Sequence, residues 1–265
     1  MPIQFWKALK NADRGIEVLR CTAETPQWAA MSAAYLGFAR LPFPYILQLR
    51  RGEKIQLEEL TDLKTFWQIF LRRVYQVRTS DEVILDLGAN IGLFSLYAAR
   101  TAPQARIFSF EPFPSTFRRL SETIQNHNLG ERVTCLNYAA TGSDGIRIMP
   151  DVEVPSQRRA LASTQSEKSG PQVLGKTLEA ILDENQLARV DLLKIDIEGS
   201  EYEVLLSTSP AVLKRIRRIA LEYHGDSAPY SKQQLFDHLT QAGFAALRDA
   251  CDDLGYGVAE LVLSS

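Results

Sequence analysis

The chain is poor in cysteine. Three are spread over 265 residues, Cys21, Cys135 and Cys251, and no two form a C-x-x-C pair. That spacing excludes a zinc knuckle and a disulfide framework, and reads all three as ordinary core thiols of a cytoplasmic protein. Basic charge is not in excess either: 30 Lys and Arg stand against 32 Asp and Glu, a formal net charge of -2. Extended contact with nucleic-acid phosphates, which needs a basic footprint, is therefore not expected. The opening MPIQFWKALKNADRG lacks a sustained apolar stretch before a small-residue cleavage site, so no secretory leader is expected. The one long weakly charged stretch, Trp28 to Leu49, is interrupted by Pro42 and Pro44 and carries Arg40 past its middle. An arginine there would cost roughly 3 kcal/mol in lipid, so the stretch reads as a buried helix running into a turn and not as a membrane span.

What the chain does have is apolar material, 45% of its residues, enough for one large core or a core with a smaller cap. From Val83 onward, short aliphatic runs alternate with longer helical ones. VILDL is a strand and Ile91 to Arg100 a helix; RIFSF is a strand, Pro114 to His127 a helix, and RVTCLNYAA a further strand. This βα rhythm implies a parallel sheet covered by helices on both faces. It breaks after Thr141, where IRIMP reads as an accessory strand and a polar Ser/Gln/Gly/Pro-rich loop covers 155–172. It resumes with TLEAILDENQL, VDLLKID, GSEYEVLLS, RRIALEYH and Ser231 to Ala242, and closes on Phe244 to Arg248 and Gly255 to Leu263 as an antiparallel hairpin. The count is about seven principal strands. Residues 1–80 lack the rhythm and read as a helical cap on the substrate side, with a helix over Leu60 to Val77 capped by Thr61 and an apolar cluster of Phe66, Trp67, Ile69 and Phe70 that spacing assigns to core. Residues 81–265 form the main domain.

The turn in VILDLGANIGLFS carries the first functional signal. A strand end, glycines and a helix start offer backbone N–H groups to a ligand. The dinucleotide fingerprint G-x-G-x-x-G fails here, because Asn90 and Leu93 stand where its later glycines belong, and no G-K-[ST] follows for a phosphate loop. Instead Asp86 closes the strand, followed by Gly88, Ala89, Asn90 and Gly92. An acid there repels pyrophosphate but suits a cationic amine. Glu111, at the end of RIFSF and before Pro112, can accept two hydrogen bonds from a free ribose diol. Amine, backbone and ribose together describe S-adenosylmethionine.

Four motifs in order, DLGANIGLFSLYAA, FEPFPSTFRRL, DLLKIDIEGSEYEVL and ALEYH, resemble the FkbM family of S-adenosylmethionine-dependent methyltransferases over roughly Thr61 to Gly243. The resemblance implies the class I, Rossmann-like methyltransferase sandwich, and most often O-methylation of a hydroxyl on a sugar or other natural product. The acceptor is then a small molecule or a glycan, and its identity would be encoded before Thr61 and in the 155–172 loop, which carry no family motif.

In an open parallel sheet, ligands gather beyond the carboxyl ends of the strands. Asp196, Glu222 and His224 end two strands and should share that edge with Asp86 and Glu111. They are the candidates for handling the acceptor, with His224 as base or orienter and Asp196 bonding the acceptor hydroxyl or a cation that does. Glu198, Glu201 and Glu222 could complete an oxygen-rich magnesium site around Asp196, although Glu201 is better read as favouring the start of its helix. Lys194 shares the face of Asp196 and reads as a structural partner for an acid there. His127 and His238 lie in helical patterns and read as surface or capping residues. No G-x-S-x-G elbow supports hydrolase chemistry. Two rivals stay open: a nicotinamide-dependent oxidoreductase, and a methyltransferase-like interaction module without catalysis. The oligomeric state is open as well, a homodimer among the options.

Overall fold

The computed structural model describes residues 12–148, 172–224, 229–251 and 256–264, with the side chains of 12–14, 224 and 256 outside that description. It divides into two compact units between Val74 and Tyr75. Most of the 155–172 loop lies outside the described residues, as does the end of the accessory IRIMP strand.

The first unit carries two helices, Ala12–Glu24 and Trp28–Tyr35, then an antiparallel pair formed by β1 (Tyr45–Gln48) and β2 (Lys54–Leu57). The strand pair was not legible as such in the sequence, since each strand has only four residues. A third helix, Leu60–Phe66, tightens into a π-type turn over Trp67–Arg72 and stops at Arg73, which takes φ +57°. It therefore ends before the expected Val77. Its N-cap position is held by Glu59 and not Thr61, while the Asp62 carboxylate accepts the Glu58 N–H at 2.7 Å and so satisfies the approach to the helix. Phe66, Trp67, Ile69 and Phe70 are all buried, as the spacing predicts. Glu17 binds this core through Trp67 Nε1 (2.5 Å) and Arg72 Nε (2.9 Å). No helix among the described residues is long and apolar enough to cross a membrane.

The second unit is built on a seven-stranded sheet. In chain order its strands are β3 (Val83–Leu87), β4 (Arg106–Phe110) and β5 (Val133–Leu136). Three short strands then form a sheet of their own: β6 (Ala139–Ala140), β7 (Gly145–Ile148) and β8 (Gln172–Lys176). The main sheet resumes with β9 (Leu192–Ile195), β10 (Arg218–His224), β11 (Phe244–Cys251) and β12 (Tyr256–Leu263). Its spatial order is β11-β12-β10-β9-β3-β4-β5. The five strands from β10 to β5 pair in parallel, and the last two close it antiparallel. Chain order reverses at the β9–β3 seam, which is where ligand crevices open in such sheets.

Two details depart from the sequence reading. RVTCLNYAA is not one strand: it leaves the main sheet after Leu136, because the Asn137 side chain turns to donate to Glu111 O (2.7 Å) and Pro112 O (2.9 Å). Cys251 is exposed on its strand and is no core thiol, whereas Cys21 is buried. Burial pushes the thiols of Cys21 and Cys135 up to about 11. The core of this unit is continuous from Leu85 and Leu87 through Leu193, Ile195, Ile219 and Leu221 to Leu261. Both faces of the central strands are therefore dry, and any charge placed in them needs a partner.

Candidate active site

That requirement is met at the seam. β3 and β9 lie in register so that Asp86 stands opposite Lys194. Both side chains are buried, and Lys194 Nζ lies 3.1 Å from Asp86 Oδ1 and 3.8 Å from Asp196 Oδ2. The same ammonium donates to Gly88 O at 2.7 Å and to Leu87 O at 3.3 Å. Burial opposes its charge, but Asp86, Asp196 and Glu222 together hold its pKa above the ordinary lysine value. The other Asp86 oxygen accepts Ser95 Oγ at 2.7 Å, and Ser95 Oγ lies 2.8 Å from Ser109 Oγ. Asp86 has no exposed surface. Within the chain Asp86 is answered by Lys194, which has the structural pairing expected of it.

Above this pair runs the turn. Gly88 takes φ +77°, and a Cβ there would lie 1.8 Å from the Asp196 carbonyl oxygen, so only glycine fits. The N–H groups of Gly88 and Ala89 both donate to Phe110 O, at 3.0 and 2.9 Å. Asn90 follows at φ +50°, and its N–H donates to Glu111 Oε2 at 2.9 Å. Asn90 Oδ1 is buried with no hydrogen-bond partner. Gly92 ends the turn in the left-handed region, and the helix Leu93–Thr101 begins behind it, two residues later than the spacing indicates.

Glu111 leaves the end of β4 5% exposed, with two backbone N–H donors, Asn90 on Oε2 and Phe113 on Oε1 (3.0 Å). Burial pushes its carboxyl up to about 7 against the pull of those two bonds. Each oxygen accepts one N–H and retains a lone pair. Asn137 fixes the carbonyls of Glu111 and Pro112 and so holds this corner in place.

At the neighbouring strand ends the structure assembles a second group. Asp196 follows β9, Glu222 lies near the end of β10, and the phenol of Tyr75 joins them. Its oxygen lies 2.8 Å from Glu222 Oε2 and 3.0 Å from Asp196 Oδ2. Its single proton can serve only one carboxylate at a time. Burial, then the charges of Asp196 and Glu222, raise the phenol well above its ordinary pKa. Its ring packs edge-on against Phe94, centroids 5.6 Å apart.

Glu198 sits in the same loop at φ +53°, a conformation uncommon for a residue with a side chain. The loop is held by Glu201, which is fully buried and accepts the N–H groups of Ile197 (2.9 Å) and Gly199 (2.8 Å). Glu201 is therefore spent on the backbone. No three His, Cys, Asp or Glu side chains among the described residues converge to hold a metal ion, so nothing among them supports the magnesium site weighed around Asp196. The His224 side chain lies outside the described residues. His127, at the C-cap of its helix, has Nδ1 2.6 Å from Thr123 O; His238 Nε2 is 3.0 Å from Thr208 O, thirty residues away, a tertiary contact in place of the surface or capping role expected.

Sequence reasoning missed Tyr75, Asn137, Ser95 and Ser109. Tyr75 stands in RRVYQVR, which has neither helical nor strand periodicity, and nothing local ties it to residues more than a hundred positions away. Ser95 is the exception. Three residues past Gly92, among the buried residues at the start of its helix, it is a polar residue that needs a polar partner.

A doubly covered sheet with a glycine turn at its reversal point, an acid after the next strand and further acids across the seam has the architecture of the Rossmann-like methyltransferases. The chain belongs to one family within that class: residues 86–256 match the Methyltransferase FkbM domain. Among curated relatives, the antimetabolite synthetase AmbE of Pseudomonas aeruginosa is 32% identical over 240 residues, covering 75% of this chain and 11% of AmbE. The chain thus spans about a tenth of that relative. The 31-O-demethyl-FK506 methyltransferase FkbM of Streptomyces tacrolimicus is 30% identical over 184 residues, covering 58% of this chain and 70% of FkbM. Among solved structures, the PH0793 protein of Pyrococcus horikoshii superposes with a TM-score of 0.50 at 15% identity, covering 88% of this chain and 81% of its own; it supports the fold alone.

Proposed function

We propose that the protein is an S-adenosylmethionine-dependent O-methyltransferase acting on a hydroxyl of a sugar or natural-product acceptor. The observation that carries this reading is the placement, on adjoining strand ends of one sheet, of a donor-poor turn corner beside a bridged acid pair. The corner is Gly88, Ala89, Asn90, Gly92, Glu111 and Pro112. The residues fit the cofactor: Glu111 has lone pairs left for a ribose diol, and the buried Asn90 Oδ1 is an acceptor still lacking a donor. When bound, the cofactor supplies an electrophilic methyl group on a sulfonium.

The chain's own part is to bind, orient and take up a proton. An alcohol loses its proton as its oxygen gains a methyl group, and a carboxylate within hydrogen-bond reach can receive it. Asp196 and Glu222 are the carboxylates present, and Tyr75 holds both in one geometry. Orientation of this kind accounts for a large share of the acceleration such a site can give. Oxygen methylation is supported by the family and by the name of the FkbM relative, which specifies an O-demethyl substrate.

The reading is tested by calorimetric titration with S-adenosylhomocysteine beside NAD. Micromolar binding of the former alone is expected, followed by transfer of label from methyl-labelled S-adenosylmethionine to hydroxylated acceptors. Binding of NAD alone would establish the oxidoreductase rival, and binding of neither the interaction module.

A further inference from the structure

Lys194 has no place in the proposed chemistry, yet it makes four polar contacts from a position that is 3% exposed. A buried ion pair alone would be explained by β3 and β9 being neighbours. This ammonium does more, because it donates to the two carbonyls that end β3 and open the turn, Leu87 O and Gly88 O. Leu87 O also accepts the Asp196 N–H at 3.2 Å. The carbonyl side of the turn is thus tied down to Lys194. Its N–H side is tied to Phe110 O and Glu111. Asp86, fully buried, offers no surface to a ligand; what it can do is hold Lys194 charged and in place.

We infer that Asp86 and Lys194 are a positioning pair for the cofactor turn: Asp86 acts on the ligand only through Lys194, and Lys194 only through the carbonyls of Leu87 and Gly88. The inference rests on the cofactor reading above. It replaces a direct contact between Asp86 and the cofactor amine with an indirect one. The contact of Lys194 with Asp196 at 3.8 Å makes the same ammonium the link between the turn and the acid pair.

The test separates folding from binding. Lys194→Met alone leaves the buried Asp86 without its cation, and Asp86→Asn alone takes from Lys194 its nearest carboxylate, so both single variants are expected to unfold at lower temperature. The double variant removes both charges, so its unfolding temperature should recover toward that of the wild type. If the pair positions the turn, the double variant still binds S-adenosylhomocysteine at least tenfold more weakly than the wild type, because both carbonyls have lost the ammonium, and Leu87 O keeps only the Asp196 N–H. Affinity within twofold of the wild type in a folded double variant would overturn the inference and leave the pair as a stabilising contact. Should the double variant not fold, the wild type carries the test: the 15N signal of the Lys194 ammonium should shift on adding S-adenosylhomocysteine, and an unmoved signal overturns the inference. Failure of the wild type to bind S-adenosylhomocysteine would be a different result, removing the cofactor reading and this inference with it.

Discussion

The two halves of the site are made in opposite ways. The turn from Gly88 to Gly92 is contiguous, and its partners Phe110 and Glu111 follow the next strand, so a single βα repeat delivers it. The acid group is assembled from three separate places: Tyr75 lies 121 residues from Asp196 and 147 from Glu222 along the chain. The turn is held by backbone hydrogen bonds whose loss is expensive wherever they are buried. The acid group is bridged by the phenol of Tyr75, which depends on whatever keeps Tyr75 in place. That anchor is visible at the far end of β10, where Arg218 pairs with Asp81 through two bonds of 2.7 and 2.6 Å and donates to Gln76 O at 2.9 Å. A local motif is therefore robust by construction, and a distributed one depends on a tether well away from the chemistry.

Substitutions can break the two halves separately. The largest effect is expected for Gly88→Ala, which puts a Cβ 1.8 Å from the Asp196 carbonyl oxygen. With the cost of the left-handed conformation added, it should destabilise the fold by about 4 kcal/mol, read in urea unfolding. An unfolding midpoint like that of the wild type would show that the turn is looser than described. Next comes the tether. Arg218→Met leaves Asp81, 4% exposed, without its cation, and a loss of about 3–5 kcal/mol is expected. If instead stability held and only turnover fell, the tether would serve the acid group alone.

Tyr75→Phe keeps the ring against Phe94 and removes only the hydroxyl between the two carboxylates. A stability cost of about 1–3 kcal/mol is expected, with S-adenosylhomocysteine affinity within twofold of the wild type and turnover sharply reduced. Equal losses in binding and turnover would mean that the halves are not separable.

The mildest perturbation is pH. The Glu111 carboxyl, raised from 4.5 to about 7, binds its proton in the folded chain over a range where the unfolded chain has lost it. The folded state therefore loses stability as pH rises from about 4.5 to 7, on the order of 3 kcal/mol in all. A protonated carboxyl is a poorer acceptor for a ribose diol, so cofactor affinity should move the other way, weakening up to about tenfold per unit as pH falls below 7. Glu111→Gln should flatten that dependence. A flat profile in the wild type would place the ribose elsewhere.

Much of this was readable before any coordinates. VILDL, RIFSF and VDLLKID announce themselves as strands because a doubly covered sheet needs unbroken apolar runs, and the turn is legible because its glycines, Gly88 and Gly92, fall within five residues directly after a strand. Glu111 is legible because it ends a strand. Legibility fails wherever the partner is distant or the element is short. The four-residue strands β1 and β2, the pairing of β7 with β8, and the break at Asn137 all depend on contacts that no periodicity records. Asp86 shows the limit most clearly. Its place at a strand end is plain in the sequence, but only the register of β3 against β9 puts Lys194 opposite it.

The sequence by itself determined the order of strands and helices, the position of the turn and the acids at the strand ends, because these follow from local periodicity and from the backbone conformations that glycine alone allows. The tertiary structure decided which acids are answered from within the chain: Asp86 by Lys194, Asp81 by Arg218, and Asp196 and Glu222 by Tyr75. Burial and pairing depend on neighbours across the sheet, and a carboxylate's chemistry is set by what surrounds it more than by where it stands in the chain.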